Sequence, residues 1–239
     1  MTIGKNDAGQ RLDRFLSKAL PLLPPALAQK YIRIKRVKVN GGRAQRDQRL
    51  REGDVLQLYI NDEFFDKPSE ENMFLTLFKP RLTVVYEDEH ILLADKPQGL
   101  VVHPDETEKV NTLINHIQAY LYQKREWNPR WENAFTPALC NRIDRNTGGI
   151  VIATKDAETL RILNEKIRSR ELDKRYLCVT VGRPKQPEGR VECFLLKDEQ
   201  KKQVSVYHRP VPGGKTAVTD YRVLDTRGEL SLLEIGLET

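Results

Sequence analysis

The apolar and polar positions of the first sixty residues follow a helical spacing and then an extended one. Over residues 10–20 apolar side chains recur every three or four positions, which predicts an amphipathic helix. A proline-rich stretch ends that helix and begins a second, shorter one. Alternating valines then lead into the turn Asn40-Gly41, and a later strand covers residues 55–60. We therefore predict a compact unit of two helices and a small hairpin sheet.

The pattern changes twice after this unit. Residues 61–80 are acidic and carry Pro, Ser and Asn, which predicts a linker, although their phenylalanines indicate that part of the segment packs on a domain. Beyond residue 80 apolar runs typical of buried strands alternate with two helical patterns. The expected elements are strands at 82–86, 91–97, 150–154, 174–181, 215–224 and 230–237, with helices from about 110 to 125 and after Asp156.

Composition narrows the class of protein. At 239 residues the chain is long enough for a large domain and a small one, and 39% hydrophobic content suits a globular protein. No apolar run approaches the roughly 20 residues that span a bilayer, and the N-terminus lacks the apolar core of a signal peptide. We therefore predict no membrane association and a cytoplasmic location. Three cysteines and four histidines lack metal-ligand spacing, so we predict reduced cysteines and no metal site.

The net charge of +6 is concentrated in the first sixty residues, where 13 Lys and Arg stand against 5 Asp and Glu. Such a local excess indicates a polyanion-binding surface, because phosphates that bind cationic side chains release their counterions. A solvated cationic face that only keeps the protein in solution is the alternative. The candidate binding residues lie on the polar side of the first helix and around the passage from the second helix to the hairpin: Arg11, Arg14, Lys30, Arg33, Lys35, Arg36 and Lys38.

One stretch combines an acid, a glycine pair and a buried strand. Asp144 stands between Arg142 and Arg145, and a Gly-Gly pair then leads into a β-branched run. The sequence offers no second acid at a defined separation for paired-carboxylate hydrolysis, no Gly-x-Ser-x-Gly motif and no phosphate-binding glycine loop. Local chemistry therefore favours a turn acid that forms a salt bridge with Arg142 or Arg145, and leaves catalysis by Asp144 as the alternative.

The strand predicted at 174–181 separates its side chains onto two faces. Leu177, Val179 and Val181 share one face, and Tyr176 lies on the other with its alternate neighbours. Tyr176 is therefore not required as core filler, and it can look into the space that the opposite face lines.

Two stretches resemble known families. The Arg-Leu-Asp-Arg-Phe-Leu start and the Val-x-Val-Asn-Gly turn resemble the S4-type RNA-binding domain over roughly residues 10–60. Residues 141–150, Asn-Arg-Ile-Asp-Arg-Asn-Thr-Gly-Gly-Ile, are similar to the signature of the RluA-type (large-subunit ribosomal) RNA pseudouridine synthases, usually His-Arg-Leu-Asp-(Arg/Lys)-x-Thr-(Ser/Gly)-Gly-(Leu/Val). The neighbouring motifs agree in order, with Lys-Pro-x-Gly-Leu at 96–100 before the signature and Lys-Arg-Tyr at 174–176 after it.

The resemblance implies an α+β fold in three parts. A small two-helix plus hairpin RNA-binding domain would occupy residues 1–60, followed by an acidic linker at 61–80. A synthase domain at 81–239 would contain a mixed, largely antiparallel sheet with flanking helices. The implied activity is the isomerisation of specific uridines to pseudouridine in structured ribosomal or transfer RNA, without cofactor or metal.

The same resemblance implies roles for four residues. Asp144 would be the nucleophile that attacks the sugar or the base, and Arg142 would hold it in place as its counter-ion. Tyr176 would stack on the extruded uracil, with an aromatic cover for a sheet edge as the alternative. Lys96 would reach an RNA phosphate near the cleft, with a solvated lysine as the alternative.

Two departures from the family pattern qualify this expectation. Asn141 stands where the family usually has histidine, and we expect activity to survive this change because the position only flanks the nucleophile. The chain ends at Thr239, before the Gly-Arg-x-His-Gln-Ile-Arg motif that the family would place next, so we expect a truncated chain whose Asp144 lacks its main counter-ion. An RNA-binding protein of this fold without catalysis is therefore the second hypothesis, well ahead of a hydrolase. The sequence indicates neither the target uridine nor the oligomeric state.

Overall fold

The computed structural model describes residues 1–65, 69–77, 79–198 and 203–238, and the chain forms two compact units, Met1–Glu165 and Lys166–Thr239. The α-helices described are α1 (Leu12–Ala19), α2 (Pro25–Arg33), α3 (Leu113–Gln123) and α4 (Ala157–Arg168). The strands described are β1 (Val37–Val39), β2 (Gly42–Arg43), β3 (Leu56–Leu58), β4 (Thr83–Glu87), β5 (Ile91–Lys96), β6 (Ala138–Leu139), β7 (Gly149–Thr154), β8 (Arg175–Val181), β9 (Glu188–Asp198), β10 (Gln203–Tyr207), β11 (Lys215–Arg227) and β12 (Leu230–Leu237).

The first sixty residues form the two helices and hairpin sheet that the spacing predicts. Helix α1 buries Leu12, Phe15, Leu16 and Ala19, which are the positions that recur at helical intervals. Strand β1 pairs antiparallel with β2 and β3, in the order β2-β1-β3. The apolar sides of both helices and of the sheet join in one core, so this region has the compact architecture expected from its pattern.

A four-stranded antiparallel sheet, in the order β4-β5-β7-β6, forms the centre of the rest of the first unit. Its buried strands β5 and β7 share a core with helix α3. Phe74, from the segment expected to be a linker, is buried in the same core, with its ring centroid 5.1 Å from that of Trp127. Part of the segment therefore packs on a domain as expected; its positions 66–68 and 78 lie outside the described residues.

The second unit contains a five-stranded antiparallel sheet in the order β10-β9-β11-β12-β8. The sequence pattern predicted β8, β11 and β12 but missed β9 and β10. It also implied that the face of Leu177, Val179 and Val181 is the core side, which is wrong: Val181 is 87% exposed, while Tyr176 is half-buried. Alternation determines which side chains share a face of a strand, but the surrounding elements determine which face is covered.

The α+β class is confirmed, and every ladder between the described strands is antiparallel. The boundary between the two compact units falls inside α4, within the region predicted as one synthase domain. Among the described residues, no helix has the length and apolar character needed to cross a membrane.

Candidate active site

Asp144 lies in the loop that connects β6 to β7, and its side chain is exposed. The backbone turns directly after it, because the Thr147 amide donates to the Asp144 carbonyl at 3.0 Å. Among the described residues no hydrogen bond or ion pair of the Asp144 carboxylate is found. The expectation of a turn acid paired with Arg142 or Arg145 is therefore wrong.

The two arginines beside Asp144 are directed toward a different loop. Arg145 donates from Nη2 to Oγ1 of Thr107 at 3.1 Å, and the same nitrogen lies 3.8 Å from Oδ2 of Asp105. Arg142 is exposed, and its positive charge adds to the effect of burial in lowering the pKa of His103. Both cations therefore act on the segment 103–107 and leave the Asp144 carboxylate accessible.

Lys96 is fully buried, although the sequence suggested that it reaches an RNA phosphate. Its ammonium donates to the carbonyls of Leu100 at 2.7 Å, of Pro97 at 3.1 Å and of Arg145 at 3.1 Å. Burial lowers the pKa of Lys96, and the negative charge of Asp144 opposes that shift. The expected phosphate contact is wrong for this arrangement, because all three ammonium hydrogens have backbone acceptors and the side chain points inward.

The turn that follows Lys96 and the Asp144 loop are joined through one carbonyl. Besides the Lys96 ammonium, the Arg145 carbonyl accepts the amide hydrogen of Gly99 at 2.8 Å. A Cβ at Gly148 would lie 3.4 Å from the Lys96 carbonyl oxygen, which is an ordinary contact, whereas Gly149 has φ near +129°. Gly149 therefore allows a backbone conformation that a residue with a side chain would strain.

Asn141 anchors the other side of the loop. Its Oδ1 accepts the Ile152 amide at 2.8 Å, and its Nδ2 donates to the Ile150 carbonyl at 3.1 Å. The Cys140 amide donates to the Ile152 carbonyl at 2.8 Å, so the Asn141 carboxamide extends the pairing of β6 with β7 by one residue. The loop is thus held at both ends by bonds that do not involve the Asp144 side chain.

Two protein-family models match the sequence of this chain. A family model described as RNA pseudouridylate synthase matches residues 90–239, and a model of the S4 domain matches residues 10–56. The chain belongs to the RNA pseudouridylate synthase family. The predicted family, its activity class and the S4 domain at the amino-terminal end are therefore confirmed.

Several curated pseudouridine synthases resemble the chain along most of its length. An uncharacterized RNA pseudouridine synthase of Mycoplasma genitalium is 30% identical over 241 residues, which cover 98% of this chain and 72% of the relative. Ribosomal large subunit pseudouridine synthase D of Yersinia pestis is 27% identical over 239 residues, covering 100% of this chain and 68% of the relative.

A solved structure shows a related fold at lower sequence identity. Human RNA Pseudouridylate Synthase Domain Containing 4 is 20% identical with a TM-score of 0.52, over 71% of this chain and 63% of the human chain. At this level of identity the likeness supports the fold alone. The chain spans less than two thirds of the length of that solved chain.

Tyr176, which was also predicted to bind the substrate, lies in the second compact unit. It belongs to β8, pairs with Ile235 of β12 and is half-buried. Its stacking role stays a prediction, as does the role of Arg142.

The predicted RNA-binding residues of the S4 domain do not form one cluster. Lys30 and Arg33 line a hollow of about 640 Å³ together with Arg43 and Arg46, which are not among the predicted RNA-binding residues. Arg43 lies on β2 and Arg46 lies in the loop that follows, and both line the hollow together with residues of α2. Their position beside α2 depends on tertiary structure. In the sequence, only the excess of cations along residues 1–60 indicated that they belong to a binding surface.

The remaining candidates of the S4 domain are distributed over other surfaces. Arg36 lies over the ring of Tyr31, 5.5 Å from its centroid, and Lys38 lies 5.4 Å from the ring centroid of Tyr59. Lys35 is exposed at a position with φ near +63°. Arg11 and Arg14 line a separate groove. The guanidinium of Arg11 donates two hydrogen bonds to the Asp13 carboxylate, at 3.1 and 2.7 Å. The predicted RNA-binding cations therefore differ in their surroundings.

Proposed function

We propose that this chain isomerises uridines to pseudouridine within structured RNA and that Asp144 is the nucleophile. The observation that carries the proposal is an exposed carboxylate without a bonding partner among the described residues, on a loop held through its backbone. Enzymes place a reacting group in this way because a fixed nucleophile loses little freedom when the substrate binds. The carboxylate remains available for a bond to the substrate.

The reaction rearranges one nucleoside and needs no external donor. The bond from the ring nitrogen to the ribose breaks, a ring carbon bonds to the ribose, that carbon loses its hydrogen and the nitrogen gains one. Asp144 attacks as the carboxylate anion, because the protonated acid is a poor nucleophile. The buried ammonium of Lys96 supplies a positive field nearby without neutralising the carboxylate by direct contact.

We propose substrate-binding roles for two further residues, each in its own compact unit. Tyr176 stacks on the uracil after the base leaves its helix, since a base inside a duplex is inaccessible to a nucleophile. Arg142, exposed two residues before Asp144, binds the substrate beside the nucleophile. We propose ribosomal RNA as the substrate, because relatives from Yersinia pestis and Vibrio parahaemolyticus carry the names ribosomal large subunit pseudouridine synthase D and C.

The proposal is tested with Asp144→Asn, which keeps the shape of the side chain and removes the carboxylate. We expect pseudouridine formation in an unmodified large-subunit ribosomal RNA transcript to fall by more than about 10³-fold, with RNA affinity retained. Chemical labelling of pseudouridine measures the product. Asp95→Asn is the matched control, because Asp95 is an exposed aspartate on neighbouring β5 and is expected to leave the rate unchanged.

Two outcomes would contradict the proposal. Full activity of the Asp144→Asn protein would exclude Asp144 as the nucleophile. RNA binding by the unaltered chain without any pseudouridine would instead support an RNA-binding protein that lacks catalysis.

A further inference from the structure

The S4 domain rests on the synthase region through the turn that precedes α1. Nδ2 of Asn133 donates to the Thr2 carbonyl and to Oδ2 of Asp7, each at 2.8 Å. Oδ1 of Asn6 accepts the amide hydrogen of Ala157, the first residue of α4, at 3.1 Å. All of these residues belong to the first compact unit. A groove of about 290 Å³ runs along this contact.

The groove is lined by cations from both sides of the contact. Arg11, Arg14, Lys18 and Arg49 come from the S4 domain, and Arg161 comes from α4. No Asp or Glu belongs to the lining among the described residues. The three cations of the α1 region stand three and four positions apart, so the helix presents them on one side. The surface therefore has the charge complementary to a polyanion.

Two of these arginines are held at adjacent positions of one turn. Nη1 of Arg49 donates to the Gly9 carbonyl at 2.8 Å, and Nη1 of Arg161 donates to the Ala8 carbonyl at 3.2 Å. Gly9 has φ near +78°, and a Cβ there would lie 3.6 Å from Nη1 of Arg161. The turn thus orients one guanidinium from each region, and a guanidinium that donates one bond keeps further N–H groups for an anion.

The lining indicates contact with the phosphates of a nucleic acid and not with its bases. Phe135 is the aromatic residue of the groove, and it is buried, so no exposed ring is offered there for base stacking. Arginine forks without a stacking platform suit the sugar-phosphate backbone, which gives affinity and register without sequence information.

We propose that this groove binds the RNA backbone and that one RNA segment contacts the S4 domain and α4 together. The inference rests on the proposed function, since it takes RNA as the substrate. It adds Arg49, Lys18 and Arg161 to the RNA-binding surface and gives the synthase region its own share of that surface. Helix α4 begins three residues after β7, and β7 directly follows the Asp144 loop. RNA that binds α4 would therefore be positioned relative to the strand next to that loop.

The test measures RNA affinity as a function of salt for Arg14→Gln and Arg161→Gln, with an unmodified large-subunit ribosomal RNA transcript as the probe. Within the described part of the chain the Arg14 side chain makes no hydrogen bond or ion pair, whereas Arg161 bonds to the Ala8 carbonyl. For each variant we expect a dissociation constant about 3 to 10 times higher near physiological salt. The slope of log affinity against log salt should decrease by about 0.7 to 0.9, the value for one lost phosphate contact.

Two controls separate charge from structure. Arg161→Lys keeps the charge without the guanidinium fork and should retain most of the salt slope, while Arg161→Gln does not. Arg125→Gln removes an exposed arginine that does not line the groove and should leave both affinity and slope unchanged. Unchanged affinity and slope for Arg161→Gln, beside weakened binding by Arg14→Gln, would limit RNA to the S4 domain and overturn the proposal.

The failure of this inference is distinguishable from failure of the proposed function. Altered salt slopes together with no pseudouridine in the transcript would retain the groove and reject the catalytic proposal. If the unaltered chain forms pseudouridine and Arg161→Gln binds RNA normally, the catalytic proposal is retained and the groove proposal is rejected.

Discussion

Two acids of the first compact unit, Glu87 and Asp144, have opposite surroundings. At the end of β4, the Glu87 carboxylate accepts hydrogen bonds from Lys155 at 2.6 Å, Lys124 at 2.8 Å and the Tyr120 hydroxyl at 2.8 Å. Burial by itself would raise the pKa of Glu87, but these hydrogen bonds outweigh it and lower the pKa to about 2. Asp144, by contrast, is exposed and has no bonding partner among the described residues.

The difference lies in where the cations direct their hydrogen bonds. The ammonium groups around Glu87 bond to carboxylates, so their charge stabilises the fold. Near Asp144, Lys96 bonds to three carbonyls and Arg145 bonds to Thr107, so charge fixes the backbone of the loop and leaves the acid accessible. A carboxylate without a partner in a cation-rich region is therefore a better candidate for chemistry than a carboxylate whose oxygens are already hydrogen-bonded.

The largest effect on this comparison is expected from Lys96→Met, which keeps most of the length of the side chain and removes its charged end. The carbonyls of Pro97 and Leu100 would lose the ammonium donor, and the Arg145 carbonyl would keep only its bond from Gly99; an unsatisfied buried group costs about 1 to 3 kcal/mol. We expect the free energy of unfolding to fall by about 3 kcal/mol, because water can compensate part of the loss. Pseudouridine formation should fall more than RNA affinity. Urea denaturation and product labelling measure the two effects.

Lys185→Met is the control for this substitution, because Lys185 is exposed and its loss should change stability by less than about 0.5 kcal/mol. A Lys96→Met protein with normal stability and activity would show that the buried ammonium does not hold the loop.

The sequence predicted α1 and α2 because each helix buries one periodic face, and β5 and β7 because they carry apolar side chains into the core. Strand β10 was missed because all of its side chains are exposed, so no buried face marks its pattern. The direction of Lys96 was also missed, although a signal existed: Leu92, Ala94 and Lys96 alternate along β5 and all three are buried. Parity along the strand therefore indicated an inward lysine, whereas residue type alone suggested a solvent contact.

The site was predictable in part for similar reasons. The order of motifs identified the Asp144 loop, but the hydrogen bonds of Arg145 to Thr107 and of Lys96 to Leu100 depend on how distant segments meet. Likewise Arg161 reaches the S4 domain only through the docking of α4 against residues 6–9, which no local pattern encodes.

A smaller effect, confined to stability, is expected from Glu87→Gln. At pH 7 the variant should lose about 1 to 2 kcal/mol of unfolding free energy, because Lys124 and Lys155 keep Glu126 as a partner. The folded pKa of about 2 lies below the ordinary value of 4.5, so the stabilisation is complete above about pH 4.5 and is lost as the pH falls toward 2. The difference between the two proteins should therefore shrink between pH 4.5 and 2.

Chemical denaturation across this pH range measures that difference, and pseudouridine formation per folded molecule should not change. Glu89→Gln serves as the control, since Glu89 is an exposed neighbour and should give no such pH dependence. A difference that stays constant down to pH 2 would mean that Glu87 is not held as an ion by its partners.

The smallest effect is expected from Asn141→Ala, which removes the two bonds to β7 without touching Asp144 or the Lys96 anchor. We expect a loss of about 1 kcal/mol in stability and a several-fold lower rate of pseudouridine formation at unchanged RNA affinity. Asn141→His should recover most of the rate, because a neutral imidazole has one N–H donor and one ring nitrogen acceptor. Comparison of the rates of both variants at saturating RNA measures the effect. A full rate for Asn141→Ala would mean that the hydrogen bonds of Lys96 are sufficient to hold the Asp144 loop. The contrast with Glu87 would then depend on the buried ammonium of Lys96 and not on Asn141.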